Sequence, residues 1–362
     1  MRKVHGNIKF ALVALLFLAG CDGEGTLLEL YPLKPIVNPE VRTLIQDNRI
    51  IHAELGARNQ ISGITAMGSF ETVDRFKSFT FEPHHWPEEG LFEFGVDLVV
   101  RVVSDGPLPS LRYSRDNGKT WLRYEMALAD SRDPALGEVL PVKLTIAAEN
   151  VIWLLCQQQE GTESVLQLYQ VDLIEGTHKV ALKKRDAKAL TLAAIDRDSG
   201  WVLWEDPSED SGGMHILKTT DGGRTWSDGA ALDRMAEPLL EVIDGSRLLV
   251  FGQAETVYHS ADGGATFKSI TTGMGAIREC QAVTADRVYL LSAEGRLAKS
   301  TDGGLTWSPL ATQAGNTLVS GSNLSFQHEQ RGIVYDIDRM FITEDGGERW
   351  DVLIYPYDYV VQ

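Results

Sequence analysis

The sequence predicts an all-β fold, a β-propeller of four-stranded blades, with seven blades favoured and six plus an N-terminal cap as the alternative. Three observations predict it. One eight-residue phrase occurs five times, the last four copies fall at a nearly fixed interval, and short apolar runs bounded by turn residues fill the stretches between them. The phrase reads hydroxyl, any residue, Asp, any residue, Gly, any residue, Thr, aromatic. Its copies are built on Ser114, Asp116, Gly118 and Trp121; Thr219, Asp221, Gly223 and Trp226; Ser260, Asp262, Gly264 and Phe267; Ser300, Asp302, Gly304 and Trp307; and Thr343, Asp345, Gly347 and Trp350, where Arg349 replaces the Thr. The last four end at positions 226, 267, 307 and 350, steps of 41, 40 and 43 residues. A fixed period of that size marks stacked supersecondary units.

Each copy lies between two strand-like runs and reads as a hairpin turn. The carboxylate can accept hydrogen bonds from the N–H groups of its own turn, and the Asp-Gly or Asn-Gly step supplies the positive φ that a tight hairpin needs. The hydroxyl two residues earlier closes a second bond, and the aromatic fills the hydrophobic seam with the next unit. This residue pattern resembles the Asp box, and the chain is similar to the BNR and sialidase-like β-propeller families. The resemblance implies that the box lies on the turn between the third and fourth strand of a blade, at the rim, and that its Asp residues are structural.

The units follow in order. Residues 41–81 supply strand-like runs at Thr43–Ile45, Arg49–Glu54, Gln60–Ala66 and Phe76–Phe81, a sheet without a box. Residues 90–127 carry the first box, with Leu98–Val103 as an inner strand, and residues 139–185 form a unit in which Glu175-Gly176-Thr177 stands where a box is lost. Residues 189–232 are interrupted by the acidic insertion Asp206–Gly213, and 236–273, 275–312 and 319–356 repeat the same order of four short runs. Turns every 8 to 12 residues between such runs are the propeller signature.

Ahead of these units stands a processing signal. Arg2, Lys3 and Lys9 precede an apolar run, Phe10–Ala19, too short to span a bilayer. Leu18-Ala19-Gly20-Cys21 resembles a bacterial lipobox, which implies cleavage before a lipid-modified Cys21. Asp22 behind it resembles an inner-membrane retention signal of enterobacterial lipoproteins, and the choice of membrane stays open. The expected organisation is a signal peptide over 1–20, a lipidated Cys and Gly/Pro-rich tether over 21–40, and one propeller domain over 41–362 in the periplasm.

The chain carries 34 basic and 51 acidic side chains, a net charge of −17, which becomes −20 without residues 1–20. A field of that sign repels phosphate backbones, so nucleic acid is excluded as a partner, and a monomer is expected. Cys156 and Cys280 fall in different units and are expected as buried thiols rather than a bridge.

No nucleophile elbow, phosphate loop or His-Glu-x-x-His zinc motif occurs, and no cofactor or metal is expected. Sialidase chemistry needs an arginine cluster, a Tyr/Glu nucleophile pair and an acid, yet Tyr124 and Glu125 are strand neighbours that point to opposite faces. Two loops are better candidates for contact with a partner. One holds His84, His85, Trp86, Glu88 and Glu89, and the other holds Asp206, Glu209 and Asp210, whose acidity suits a basic partner. The expected function is a non-enzymatic, tethered envelope propeller that binds another protein. Two resemblances give it detail: photosystem assembly factors with Asp-box propellers, which use an arginine patch this acidic chain lacks, and immunity lipoproteins that neutralise secreted phospholipase effectors. The alternatives are a sialidase-like glycoside hydrolase and a polysaccharide-binding module stacking sugars on Trp86, Trp204 or the tail tyrosines Tyr355, Tyr357 and Tyr359.

Overall fold

The structure is a computed structural model that describes residues 31–32, 49–56, 60–84, 91–95, 98–104, 109–126, 136–208, 213–310, 323–336, 339–354 and 359–360. Seven four-stranded antiparallel sheets, each in simple sequence order, make a seven-bladed propeller. Blade 1 comprises Ile50–Leu55, Ile61–Thr65, Gly68–Thr72 and Thr80–Pro83; blade 2 Leu91–Gly95, Leu98–Val103, Ser110–Ser114 and Leu122–Tyr124; blade 3 Leu136–Ala148, Val151–Glu160, Glu163–Asp172 and Thr177–Arg185. Blade 4 comprises Lys188–Ala194, Gly200–Glu205, Met214–Thr219 and Ser227–Leu232; blade 5 Leu239–Val242, Leu248–Phe251, Thr256–Ser260 and Lys268–Thr271. Blade 6 is Ile277–Ala282, Val288–Ser292, Leu297–Ser300 and Ser308–Pro309, and blade 7 is Asn323–His328, Arg331–Tyr335, Met340–Thr343 and Asp351–Ile354. No helix occurs among the described residues.

Second strands are the most apolar because they are covered on both faces by neighbouring blades. Trp201-Val202-Leu203-Trp204 and Leu248-Leu249-Val250-Phe251 are buried at every position. Seven hydrophobic clusters fill the seven seams. Six of them bury eight or more hydrophobic residues each. The seam between blades 1 and 2 differs: Ile64 and Val99 are the buried pair of its cluster, with Ile51, Phe92, Phe94 and Trp121 packed around them. Ring closure between blades 7 and 1 is well packed, with Ile333, Tyr335 and Ile342 against Ala53, Ile61 and Phe76. Arg75 adds ion pairs across it to Glu344 at 2.9 Å and Asp351 at 3.2 Å.

The repeated turns join third to fourth strands, and their bonding recurs in each, except that blade 7 lacks the Thr hydroxyl bond to its Asp. In blade 5, Ser260 Oγ donates to Asp262 Oδ1 at 2.9 Å and accepts from Gly264 N at 2.8 Å. Asp262 then accepts from Thr266 N at 2.8 Å and Thr266 Oγ1 at 2.6 Å. Both glycines sit at positive φ, 74° and 97°. In blade 7 the Arg349 amide still donates to Asp345 Oδ1, at 2.9 Å.

Several expectations need correction. Blade 1, expected to lack this turn, reproduces it with Thr72, Asp74 and Ser78: Phe76 N donates to Thr72 Oγ1 at 3.0 Å, Ser78 N to Asp74 Oδ1 at 2.9 Å and Ser78 Oγ to Asp74 Oδ2 at 2.7 Å. Here Arg75 and Phe76, at φ 58° and 62°, hold the left-handed conformation that glycines hold elsewhere. The third strand of that blade is Gly68–Thr72, whereas Thr43–Ile45 lies outside the described residues. In blade 2 the strand Leu98–Val103 is an inner strand as expected, second in the sheet after Leu91–Gly95.

The aromatics also face the preceding blade rather than the next one. Phe79, Trp121, Trp226, Phe267, Trp307 and Trp350 each join the seam on the N-terminal side of their own blade. Trp226 Nε1 donates to Ala181 O of blade 3 at 2.9 Å, and Trp201 Nε1 of blade 4 returns a bond to Gly263 O of blade 5 at 3.0 Å. The outer strand of blade 7 is Asp351–Ile354, and Tyr359–Val360 pairs with Tyr31–Pro32; Tyr355 and Tyr357 lie outside the described residues.

Cys156 and Cys280 are free, buried thiols in blades 3 and 6. Burial pushes both thiol pKa values up. Neither is expected to react with a thiol reagent in the native ring, and both should react once guanidinium unfolds it; labelling in native buffer contradicts the packing.

Candidate functional site

Strands alternate in direction, so the Asp turns and the turns between first and second strands share one face of the ring. The connections between second and third strands, and from one blade to the next, share the other. The first face is mostly scaffold, with a smaller groove of about 320 Å³ at the blade 3 turn lined by Asp172, Glu175, His178, Lys179 and Arg197. Asp221 is held down to about 2 by the side-chain hydrogen bond from Thr225, then by that residue's amide, and Asp262 likewise to about 2 by Thr266. Carboxylates so fully engaged are poor acids, bases or ligands. Blade 3 lacks the turn: Asp172 caps Ile174 and Glu175 amides at 3.0 and 2.9 Å, and its other oxygen pairs with Arg197 of blade 4.

First strands pack on one another around the axis and carry a second set of carboxylates. Glu241 of blade 5 accepts from Ala282 N of blade 6 at 2.6 Å, and Glu279 of blade 6 accepts from Leu324 N of blade 7 at 3.0 Å. Gln281 clamps the Phe326 backbone, accepting from its N–H at 2.7 Å and donating to its carbonyl at 3.2 Å. These side chains reach forward to the next blade, while the Asp turns dock backward. Each glutamate keeps some water contact, yet enclosure by protein pushes both up to about 7. Glu93, also pushed up by burial, faces Lys143 at 3.8 Å. His52, stacked on Phe94 at 4.1 Å in the seam between blades 1 and 2, is pushed down to about 4 by burial. This set bridges blades; among the described residues no group of three or more His, Cys, Asp or Glu is arranged to hold a metal.

The described ends of both loops expected from sequence, His84 and Asp206, lie on the second face, because one joins blade 1 to blade 2 and the other joins the second and third strands of blade 4. Of the first, His84 is described, its Nδ1 3.1 Å from Glu82 O; His85, Trp86, Glu88 and Glu89 lie outside the described residues. Of the second, Asp206 is described, accepting from Ser208 N and Oγ at 2.8 and 2.6 Å; Glu209 and Asp210 lie outside. Trp204 is unsuited to sugar stacking: it is 7% exposed, stacked on His215 at 4.7 Å and covered by Lys184 at 4.1 Å. Tyr124 is bonded to His178 at 2.9 Å and Glu125 to Arg123 at 2.6 Å, so they do not form a nucleophile pair.

At the foot of the blade 4 insertion lies a groove that sequence reasoning missed. Lys188, Leu190, Glu205, Met214 and residues 234–238 of the linker to blade 5 enclose a cavity of about 580 Å³. Glu205 is buried among them and holds Lys188 at 3.0 Å and Arg234 at 3.3 Å. These residues come from four separate segments of chain, so no local pattern announces them.

No family model matches the chain, and neither does any curated protein. Solved structures do match it. YCF48 from Cyanidioschyzon merolae aligns with TM-score 0.50 and 16% identity over 88% of this chain and 98% of that one. The fold is shared. A structure of YCF48 bound to D1 peptide follows at TM-score 0.49 and 14% identity, covering 88% and 94%, and a GH74 xyloglucanase from Xanthomonas campestris at 0.36 and 10%, covering 83% and 63%. At these identities the likeness is one of architecture alone.

Proposed function

We propose that the protein is a non-enzymatic propeller of the bacterial cell envelope, tethered to a membrane through a lipidated Cys21, that binds another protein through the face opposite the Asp turns. The repeated turns are read as Asp boxes of the BNR and sialidase-like type. One observation carries the reading: the Asp carboxylates and hydroxyls of the turns are consumed in hydrogen bonds within their own turns, whereas the opposite face holds an open, preformed groove beside the start of the acidic insertion at Asp206. Insertions on one face of a repeat fold commonly carry its binding function. Within this reading, a scaffold, an assembly factor and an immunity lipoprotein against a secreted effector differ only in the partner.

The test uses the full chain in lipid nanodiscs. It is exposed to a fluorogenic sialoside and, separately, to envelope proteins under crosslinking, with captured species identified and titrated. The expected result is no turnover and a single stoichiometric protein partner. Turnover abolished by a point substitution would transfer the reading to a glycoside hydrolase, and retention on an immobilised polysaccharide without a protein partner would transfer it to a carbohydrate-binding module.

A further inference from the structure

We propose that the groove between blades 4 and 5 is the anchor site for the partner, and that it takes an acidic side chain carried next to an apolar one on an extended segment. The inference rests on the protein-binding reading above and names the chemistry of the segment.

The groove combines three features. First, it is one of the places in a chain of net charge −17 where cations converge on one point. Glu205, with a side chain 10% exposed, draws in Lys188 and Arg234, whose side chains are 53% and 63% exposed. An ammonium has three donors and a guanidinium five, so one bond from each to Glu205 leaves most of them directed elsewhere. Two cations on one carboxylate leave a local positive excess at contact range. Glu237, exposed, also lines the groove, so the lining as a whole carries two cations and two carboxylates. The attraction is therefore short-ranged and selects a carboxylate that is seated in the groove.

Second, the floor is apolar: Leu190, Met214, Met235 and Pro238 line it. Methionine adapts its shape to an incoming side chain, and a cavity of about 580 Å³ accommodates a leucine-sized anchor with its neighbour. Third, the site is preformed. Ala236 O accepts from Gln253 N at 2.9 Å, and a Cβ at Gly252 would stand 2.6 Å from that same oxygen, so the linker is locked onto blade 5. Little ordering is left for binding to cost.

Charge complementarity decides the occupant. A basic anchor would meet Lys188 and Arg234. A uniformly acidic partner would be repelled by the rest of the molecule, so an isolated carboxylate beside an apolar residue is the chemistry that fits.

The experiment measures fluorescence anisotropy of labelled, end-capped Gly/Ser peptides with a central Leu-Glu-Leu, Leu-Gln-Leu or Leu-Lys-Leu, titrated with the full chain in nanodiscs. The Glu peptide is expected to bind at least tenfold tighter than the other two. K188Q/R234Q should remove that preference. Because this pair leaves Glu205 buried without a counter-ion, the triple change with Glu205→Gln removes the buried charge together with its counter-ions and must show the same loss with an unchanged thermal midpoint. Equal binding of the three peptides, no binding, or an unaffected preference in the triple variant overturns the proposal, as does competition by hexanoate at the same affinity as the peptide. A natural partner captured equally by the wild type and the triple variant overturns the groove but leaves protein binding standing. A glutamate peptide held by the groove while the envelope yields no partner supports the groove and removes the wider reading.

Discussion

Gly223→Val is expected to be among the most damaging single changes outside the hydrophobic core. Its backbone sits at φ +82°, and a Cβ there would lie 2.6 Å from the Ala181 Cβ and 2.9 Å from the Ala181 carbonyl oxygen of the preceding blade. A left-handed conformation costs an L-residue about 1–2 kcal/mol, and forcing atoms into a closed seam adds about 1–3 kcal/mol, for a loss of about 2–5 kcal/mol. Gly161 separates the two contributions. It has φ +64° with nothing within 4 Å of the added carbon, so Gly161→Val carries the backbone cost alone. Urea unfolding of both variants checks this: Gly223→Val should lose at least about 1 kcal/mol more than Gly161→Val, since only it adds the overpacking cost. Equal losses would mean that the turn does not dock on the neighbouring blade.

The second large effect concerns pH. Glu241 and Glu279 are pushed up from 4.5 to about 7 by burial, so the folded ring holds protons that the unfolded chain has released. Stability from these groups is fully present below pH 4.5 and is lost as pH rises through about 7. Glutamine keeps the acceptor for Ala282 N or Leu324 N and carries no charge. Each tenfold gain in proton affinity on folding corresponds to about 1.4 kcal/mol. Discounted for the water each group still touches, Glu241→Gln and Glu279→Gln should each stabilise the protein by about 1–3 kcal/mol at pH 8 and by little at pH 5. His52 works in the opposite direction. Its pKa falls from 6.5 to about 4, so its contribution is present above pH 6.5 and is lost as pH falls through about 4. Thermal midpoints measured from pH 4 to pH 9 should therefore peak on the acid side of neutrality in the wild type. The double glutamine variant should lack the fall on the alkaline side, and a fall that persists there would place the cause elsewhere.

The five turns were legible because a hydroxyl, an Asp, a Gly and an aromatic at fixed offsets satisfy one another locally, and such a unit leaves its whole signature in eight consecutive residues. The sixth was not, because Arg75 and Phe76 adopt positive φ without glycine. Their side chains explain why that is tolerated: Phe76 is buried in the seam with blade 7, and Arg75 pairs across it, so tertiary contacts offset the backbone cost. The direction in which the aromatics pack was invisible for a related reason. A hairpin specifies its own geometry but not which neighbour it leans on. The groove at Glu205 required the ring itself, since Lys188, Glu205, Met214 and Arg234 meet only when the strand ends of blade 4 and the linker to blade 5 are brought to one face. The forward bonds of Glu241 and Glu279 likewise join strands 41 and 45 residues apart.

On the proposed reading the molecule divides into a face that holds the ring together and a face that binds, and one comparison tests that division most directly. For the captured partner, affinity and thermal midpoint are measured on Asp262→Ala and on the Lys188→Gln, Glu205→Gln, Arg234→Gln triple variant. The turn substitution is expected to lower the midpoint while affinity at low temperature is kept, and the groove substitution to keep the midpoint while affinity falls at least tenfold. Loss of binding in a stably folded Asp262→Ala chain, with the groove variant unaffected, would contradict that division.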